Sequence, residues 1–285
     1  MRRVALTAVV VHRNEPEALD RTIAGLRRGW SGQLHVVVVD NASRRPPAPD
    51  VPRGATVEVV RTGANAGLLR TRTAWTVVCP HDVDVHPEAL DRLVDVTAAR
   101  PRAGLACAEL GLDEVPVVDP YFGGLSVPAV RSGDWAPAGY PHGTMLLARR
   151  RCLEEVGLFD ERYFAYCEEA DLALRARAAG WRCGMVWGAL VQNTGISSMD
   201  VSTYLKARNT LHLVRRWGGR YKAAVRLAMA LPMAVQVAPY RLGVRDFLVG
   251  RWGPPPRDVL DLSWFEADGD GRLPGRTALS ARMLT

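Results

Sequence analysis

The chain has 285 residues, 48% of them hydrophobic and 24% charged, with a formal net charge of +7. Those proportions are those of a soluble globular protein of one large domain or two small ones. No apolar run reaches the roughly eighteen residues of a transmembrane helix, so none is expected. The five cysteines, at 79, 107, 152, 167 and 183, include no CxxC pair. Neither a zinc ribbon nor a redox motif is supported, and the reducing cytoplasm is the expected compartment. Only Lys206 and Lys222 among the 37 basic residues are lysines. A basic surface suits nucleic acid, an anionic membrane face or a diphosphate substrate. The arginines cluster at 208–226 and the chain lacks a nucleic-acid-binding motif, so no nucleic-acid partner is expected.

Residues 4–11 (VALTAVVV) form a β-branched apolar run, which predicts a strand buried on both faces. With the preceding arginines this run mimics a signal peptide. However, no small-residue cleavage site follows, and the run ends in His12, Arg13, Asn14 and Glu15. Asn14, Pro16 and Glu17 carry a helix-start pattern with Asn14 as cap, and Leu19, Ile23 and Leu26 supply the inner face. The second strand, 34–43, stops being apolar at Asp40, so strand, helix and strand read as a parallel βαβ unit. Ligands of open parallel sheets sit at the carboxyl ends of strands, where His12, Asn14 and Asp40 fall. Asp40 can accept hydrogen bonds from base or ribose groups, or form a turn with Asn41 and Ser43. No GxGxxG is present, so a dinucleotide site is not supported.

A proline-rich connector (46–52) and a third strand (57–60) lead to a loop in which Gly63 and Gly67 flank Asn65. Such a loop can lie close to a ligand or simply turn. A fourth strand, 75–79, is followed by Asp82 and Asp84. Two carboxylates there suit Mg²⁺ or Mn²⁺ in company with phosphate oxygens; the alternative is a solvated turn before a helix opened by Pro87. Residues 112–142 bring Tyr121, Phe122, Trp135 and Tyr140, which can stack on sugar faces or plug a loop onto the core. His142 then stands as an acceptor contact or a structural histidine.

Glu168, Glu169 and Asp171 fall within four residues at a loop-to-helix junction. Leu172, Ala176 and Ala179 share one helix side, and Gly180 is the stop. Such a junction can hold a carboxylate rigidly in a cleft. The plain alternative is acids favoured by the positive helix end, with Asp171 paired to Arg175.

In order, VVVHRNEPEAL, VVVVDNAS, GANAGL, PHDVDVHPEAL, GTMLLARRRCLEEVGLFDERYFAYCEEADLALRARAAGW and YLKARNTL resemble the family 2 glycosyltransferases with a GT-A fold. The resemblance spans about residues 4–210 and is greatest to rhamnosyltransferase-type members. It implies an α/β fold: a Rossmann-like, mostly parallel sheet flanked by helices, with a C-terminal helical extension. It implies an inverting transfer from a nucleotide-diphosphate sugar, dTDP-rhamnose or a UDP-sugar, to an acceptor hydroxyl. The acceptor would be a glycan, a lipid-linked saccharide or a small molecule.

The same resemblance implies roles for individual residues. His12, Asn14 and Asp40 would line the nucleotide pocket, and Asn65 and Gly67 would sit by the nucleotide-sugar. Asp82 falls at the metal-binding aspartate, Glu168–Glu169 at the acidic pair whose second member is the base, and Asp171 at a further acid. Arg208–Asn209 matches an RN pair, with Arg208 on the diphosphate. Pro80 stands where the first metal aspartate would be, so Asp82 binds alone or Asp82 and Asp84 form a displaced pair. Asn193, in QNTGISS, stands where the family often carries a metal-binding histidine. Rival readings are a non-catalytic sugar-binding relative, a sugar nucleotidyltransferase and a basic scaffold on membrane or nucleic acid.

Past the first unit (1–210), residues 211–252 are expected to form a helical extension. Its apolar stretch, 223–240, is short, is broken by Pro232 and is surrounded by arginines from Arg215 to Arg245. It would rest on an anionic membrane, at the inner face, or pack on the catalytic unit or a second subunit in a homodimer. Residues 253–285 read as a partly disordered tail, in which Asp268-Gly-Asp-Gly lacks the remaining ligands of a calcium loop.

Overall fold

A computed structural model describes residues 5–41, 43–61, 64–194, 199–256 and 259. Gly63, the last part of the QNTGISS segment and the Asp268 stretch lie outside the described residues. The chain opens with β1 (Leu6–His12), α1 (Pro16–Gly29), β2 (Leu34–Asp40) and β3 (Ala55–Val60). Next come α2 (Ala64–Leu69), β4 (Trp75–Pro80), β5 (Val83–Val85), α3 (Ala89–Ala98) and β6 (Ala103–Glu109). A hairpin of β7 (Glu114–Asp119) and β8 (Gly123–Pro128) precedes β9 (Trp135–Pro137), β10 (Leu146–Arg149) and α4 (Arg150–Val156). Last are α5 (Glu168–Ala178), β11 (Arg182–Asn193), α6 (Met199–Gln236) and α7 (Ala238–Leu248).

The main sheet runs β3-β2-β1-β4-β10-β6-β11-β5, with β9 added on β11. β1 pairs in parallel with β2 and β4, and β2 with β3. Neighbouring residues of β1 enter different cores. Ala8 and Val10 join Leu19, Ile23 and Leu26 of α1, whereas Val9 joins Leu68 of α2 and Leu172 of α5. Helices on both faces explain why β1 and β2 are continuously apolar instead of alternating. Each buried valine or leucine among them stabilises the fold by about 1.5–3 kcal/mol relative to exposure.

β5 and β9 each run antiparallel to β11, and inside the sheet one strand is reversed on both sides. β10 is antiparallel to both β4 and β6, with Leu146 opposite Val78 and Cys107. The segment entering β10, including Gly143, therefore lies at the edge where β4 ends.

Two local expectations are corrected. Asn14 does not cap α1: Glu15 is the flanking residue and no side chain caps the helix. Asn14 has a positive φ of 59° and ties two loops together, its N–H donating to Ser43 Oγ (2.9 Å) and its Oδ1 accepting from Arg44 N (2.9 Å). Nor does Pro232 break the C-terminal helix. α6 passes through residue 210 and through Pro232, and departs from helical geometry at Gly219 (φ 81°, ψ 179°).

Candidate active site

From β1 the chain moves outward to β2 and β3, then returns to β4 on the other side of β1. The carboxyl end of β1 is therefore a topological switch point, where open α/β sheets bind ligands. His12 ends β1 opposite Asp40 in register. Its ring meets that of His81 edge to face at 5.0 Å. Burial, then the neighbouring His81, lowers the His12 pKa to about 4, so its imidazole is neutral at physiological pH. Burial alone would raise the Asp40 pKa, but hydrogen bonds from Ser43 and Arg61 outweigh it and hold the carboxyl below its usual value. The Arg61–Asp40 contact is 2.9 Å, and half of the Arg61 side chain remains in solvent.

The turn bearing Asp82 is pinned from two sides. Thr22 of α1 donates to the His81 carbonyl (2.7 Å) and accepts from Val83 N (3.1 Å). Thr194 donates both N–H and hydroxyl to the Asp82 carbonyl, at 2.8 and 2.9 Å. β5 pairs with β11, placing Asn193 opposite Val83, so the Asp82 turn meets the start of the QNTGISS segment. Asp82 Oδ1, His12 Nδ1 and His81 Nε2 are buried without a hydrogen-bond partner in the protein. Buried polar atoms are normally paired, so orphans gathered at a strand edge point to a ligand. Asp84 is exposed on β5, and the described residues include no group of three or more acids, histidines or cysteines able to hold a metal by themselves.

Glu168 and Glu169 open α5, as the sequence reading expected. The loop before them has three non-glycine residues at positive φ: Phe164 (67°), Tyr166 (65°) and Cys167 (74°). Such residues cost about 1 kcal/mol or more each and persist where neighbours impose them. Asn209 of α6 does so, its two amide hydrogens shared among the carbonyls of Tyr163 (2.9 Å), Ala165 (2.7 Å) and Tyr166 (2.8 Å). Burial raises the pKa of both glutamates, that of Glu168 well above its ordinary value because Glu169 is also beside it. Glu168 Oε2 is a fourth buried atom without a partner. The Glu169 carboxylate lies against Gly143. Since Gly143 leads into β10, Glu169 shares the strand edge that carries Asp82.

Other residues singled out from the sequence are engaged within the protein. Arg208 is fully buried and donates to Asn209 Oδ1 (2.9 Å), Tyr204 Oη (3.3 Å) and the Tyr163 carbonyl (3.0 Å). Placed so, its guanidinium faces protein and not a diphosphate. Buried Asp171 accepts from Arg175 Nε (2.9 Å) and Trp217 Nε1 (2.9 Å), binding α5 to α6. Asn65 holds the Phe159 backbone through both ends of its amide (2.9 and 3.1 Å). Gly67 is a packing glycine, because a Cβ there would overlap Val39 and Val9. Trp135 lies over Gly184 with the Arg100 guanidinium 5.0 Å from its ring, and so plugs β9 onto the sheet. His142 Nε2 contacts the Ala108 carbonyl at 2.6 Å beside a cavity of about 40 Å³ lined by Glu109, Trp187 and others.

His81, Thr22, Arg61 and Gly143 escaped the sequence reading. The signal for His81 was its place between Pro80 and Asp82 at a strand end. The other three act on residues at least 18 positions away, which no local pattern marks.

No family model matches the chain. It is 28% identical over 282 residues to the N-acetylglucosaminyl-diphospho-decaprenol L-rhamnosyltransferase of Mycobacterium tuberculosis, covering 81% of this chain and 91% of that protein. In structure it resembles the mannosyltransferase PcManGT of Pyrobaculum calidifontis, with a TM-score of 0.56 and 17% identity over 91% of this chain and 87% of that one. It also resembles GalNAc-T7, with a TM-score of 0.61 and 14% identity over 77% of this chain and 49% of that one. The chain has the GT-A fold of these glycosyltransferases and is similar in sequence to the rhamnosyltransferase.

Proposed function

We propose that the chain transfers a sugar, with inversion, from a nucleotide-diphosphate donor to a hydroxyl of a lipid-linked saccharide. The observation that carries this reading is the Glu168–Glu169 pair. Its proton affinity is raised by burial, and it stands at the same strand edge as buried atoms of His12, His81 and Asp82 that make no hydrogen bond in the protein. A carboxylate of raised pKa is a better general base, and Glu169, held against Gly143, is the base for the acceptor hydroxyl. His12 and Asp40 end adjacent strands at the nucleotide side. Asp82 fits a divalent ion, since its buried Oδ1 has no protein partner, while Asp84 is exposed. One carboxylate plus donor phosphates is a usual set for Mg²⁺. Such an ion would neutralise charge developing on the leaving diphosphate. The structures of PcManGT and GalNAc-T7 both contain Mn²⁺, which supports that requirement.

The named relative supports rhamnose as the sugar and a polyprenyl-diphosphate saccharide as the acceptor. In this reading residues 1–210 are the catalytic unit and 211–252 an extension toward the acceptor. Transfer from dTDP-rhamnose to a synthetic polyprenyl-diphosphate N-acetylglucosamine, with Mn²⁺, tests the assignment. Glu169→Gln should lower turnover by about 10²–10⁴-fold while donor affinity stays within about twofold. Undiminished turnover in that variant removes Glu169 as base. Absence of transfer by the unaltered protein across donors and acceptors overturns the function.

A further inference from the structure

Between Asp200 and Asp246 the sequence has no acidic residue and nine basic ones. Past Gly219, α6 packs inward through small side chains: Ala230 and Ala234 meet Leu211, Val244 and Phe247 in a local core. Its outward side is also apolar. Tyr221 is 77% exposed, Leu231 54% and Val235 75%, with Ala224 and Ala228 exposed between them. The spacing 221, 224, 228, 231, 235 traces one stripe along a helix of 3.6 residues per turn. A surface helix normally turns polar groups outward. Here exposed Arg220 lies at one end of the stripe and exposed Arg241 just beyond the other, and Leu248 and Val249 add exposed apolar surface at the end of α7. Among the described residues, no helix is long and apolar enough to cross a membrane.

We propose that this face of α6 docks the protein on an anionic lipid bilayer, with the apolar stripe in the headgroup boundary and the flanking arginines on lipid phosphates. An apolar strip with a basic rim is the pattern of interfacial helices. A two-fold dimer through this face would set basic rim against basic rim with no acid between them, which disfavours a second copy as occupant. Nucleic acid offers nothing for the stripe. This inference goes beyond the transfer reaction, and its test needs neither donor nor acceptor, so the two readings fail separately.

The test is co-sedimentation of the full chain with vesicles of phosphatidylcholine alone and with about a third phosphatidylglycerol. Binding is expected to the anionic vesicles only and to be released by high salt. Arg220→Glu with Arg241→Glu should weaken binding about tenfold or more. Leu231→Asp with Val235→Asp should weaken it comparably. Thermal unfolding verifies that each variant is folded. Should a variant not fold, salt release and lipid selectivity of the unaltered protein decide. Equal binding to both vesicle types, or to neither, overturns the proposal. So does a dimer, seen by sedimentation velocity, that these substitutions dissociate.

Discussion

The Glu169 carboxylate occupies the space that a methyl group on Gly143 would need. Gly143 has no left-handed backbone requirement, so alanine fits its conformation, and the atom displaced is the free end of a side chain. Gly143→Ala should therefore move the carboxylate without unfolding the protein. Misplacement of a catalytic group by about 1 Å can cost about 10²-fold in rate. The expected outcome is a kcat loss of that order, with Tm altered by less than about 2 °C. Full activity in the alanine variant would separate Glu169 from the chemistry.

Asn209 binds three carbonyls of the loop that ends at Glu168, and its own Oδ1 accepts from Arg208. Asn209→Ala removes the donor to the carbonyls of Ala165 and Tyr166, while the Tyr163 carbonyl keeps Arg208, at about 1–3 kcal/mol for the worst-placed one. The three left-handed residues then lose what imposes their conformation. We expect kcat to fall at least about tenfold, with donor affinity, which the proposed function assigns to the β1 and β4 ends, within about twofold. A purely structural role would instead lower the yield of folded protein and leave kcat per folded molecule unchanged. Active-site titration with a tight donor analogue distinguishes the two.

The pH dependence of stability carries two opposed signatures. Glu168 and Glu169 have folded pKa values above the ordinary 4.5, so between those values the folded chain holds more protons than the unfolded one. Their contribution is most favourable near and below pH 4.5 and is lost as pH rises through the raised values. His12 and His212 have values lowered from 6.5 to about 4, mainly by burial, so their contribution is lost as pH falls from 6.5 toward 4. Glu168→Gln removes the larger share of the first effect and leaves the second untouched. Calorimetry at neutral pH should show Tm raised by about 2–4 °C, the shift for a gain of order 1 kcal/mol. An unchanged or lower Tm would mean that Glu168 ionises without cost.

What the sequence revealed tracks what is local. Apolar runs at 4–11 and 34–39, with Leu19, Ile23 and Leu26 between them, led to a parallel βαβ unit, and β1, α1 and β2 form it. The acids at 168 and 169 were placed at a helix start because three carboxylates precede an apolar stripe, and Glu168 opens α5. Residues whose partners are distant were read less well. Arg208 and Asn209 contact backbone carbonyls 43–46 positions away, and carbonyls carry no sequence signature. Gly67 looked like a loop glycine because the approach of Val9 and Val39 exists only after β1 and β2 pair. The reversed strand β10, which brings Gly143 to the site, is four residues long, too short for a period to show.

The helix that clamps the loop before Glu168 continues past a single break at Gly219 into the outward apolar stripe. Asp171, on the helix the glutamates begin, is tied to Trp217, two residues short of that break. The altitude of the two glutamates over any plane on which the stripe rests is thus set by that break and by the packing of Ala230 and Ala234 on Leu211, Val244 and Phe247. A hydroxyl carried at constant height above such a plane would reach Glu169 by lateral diffusion alone, in two dimensions instead of three.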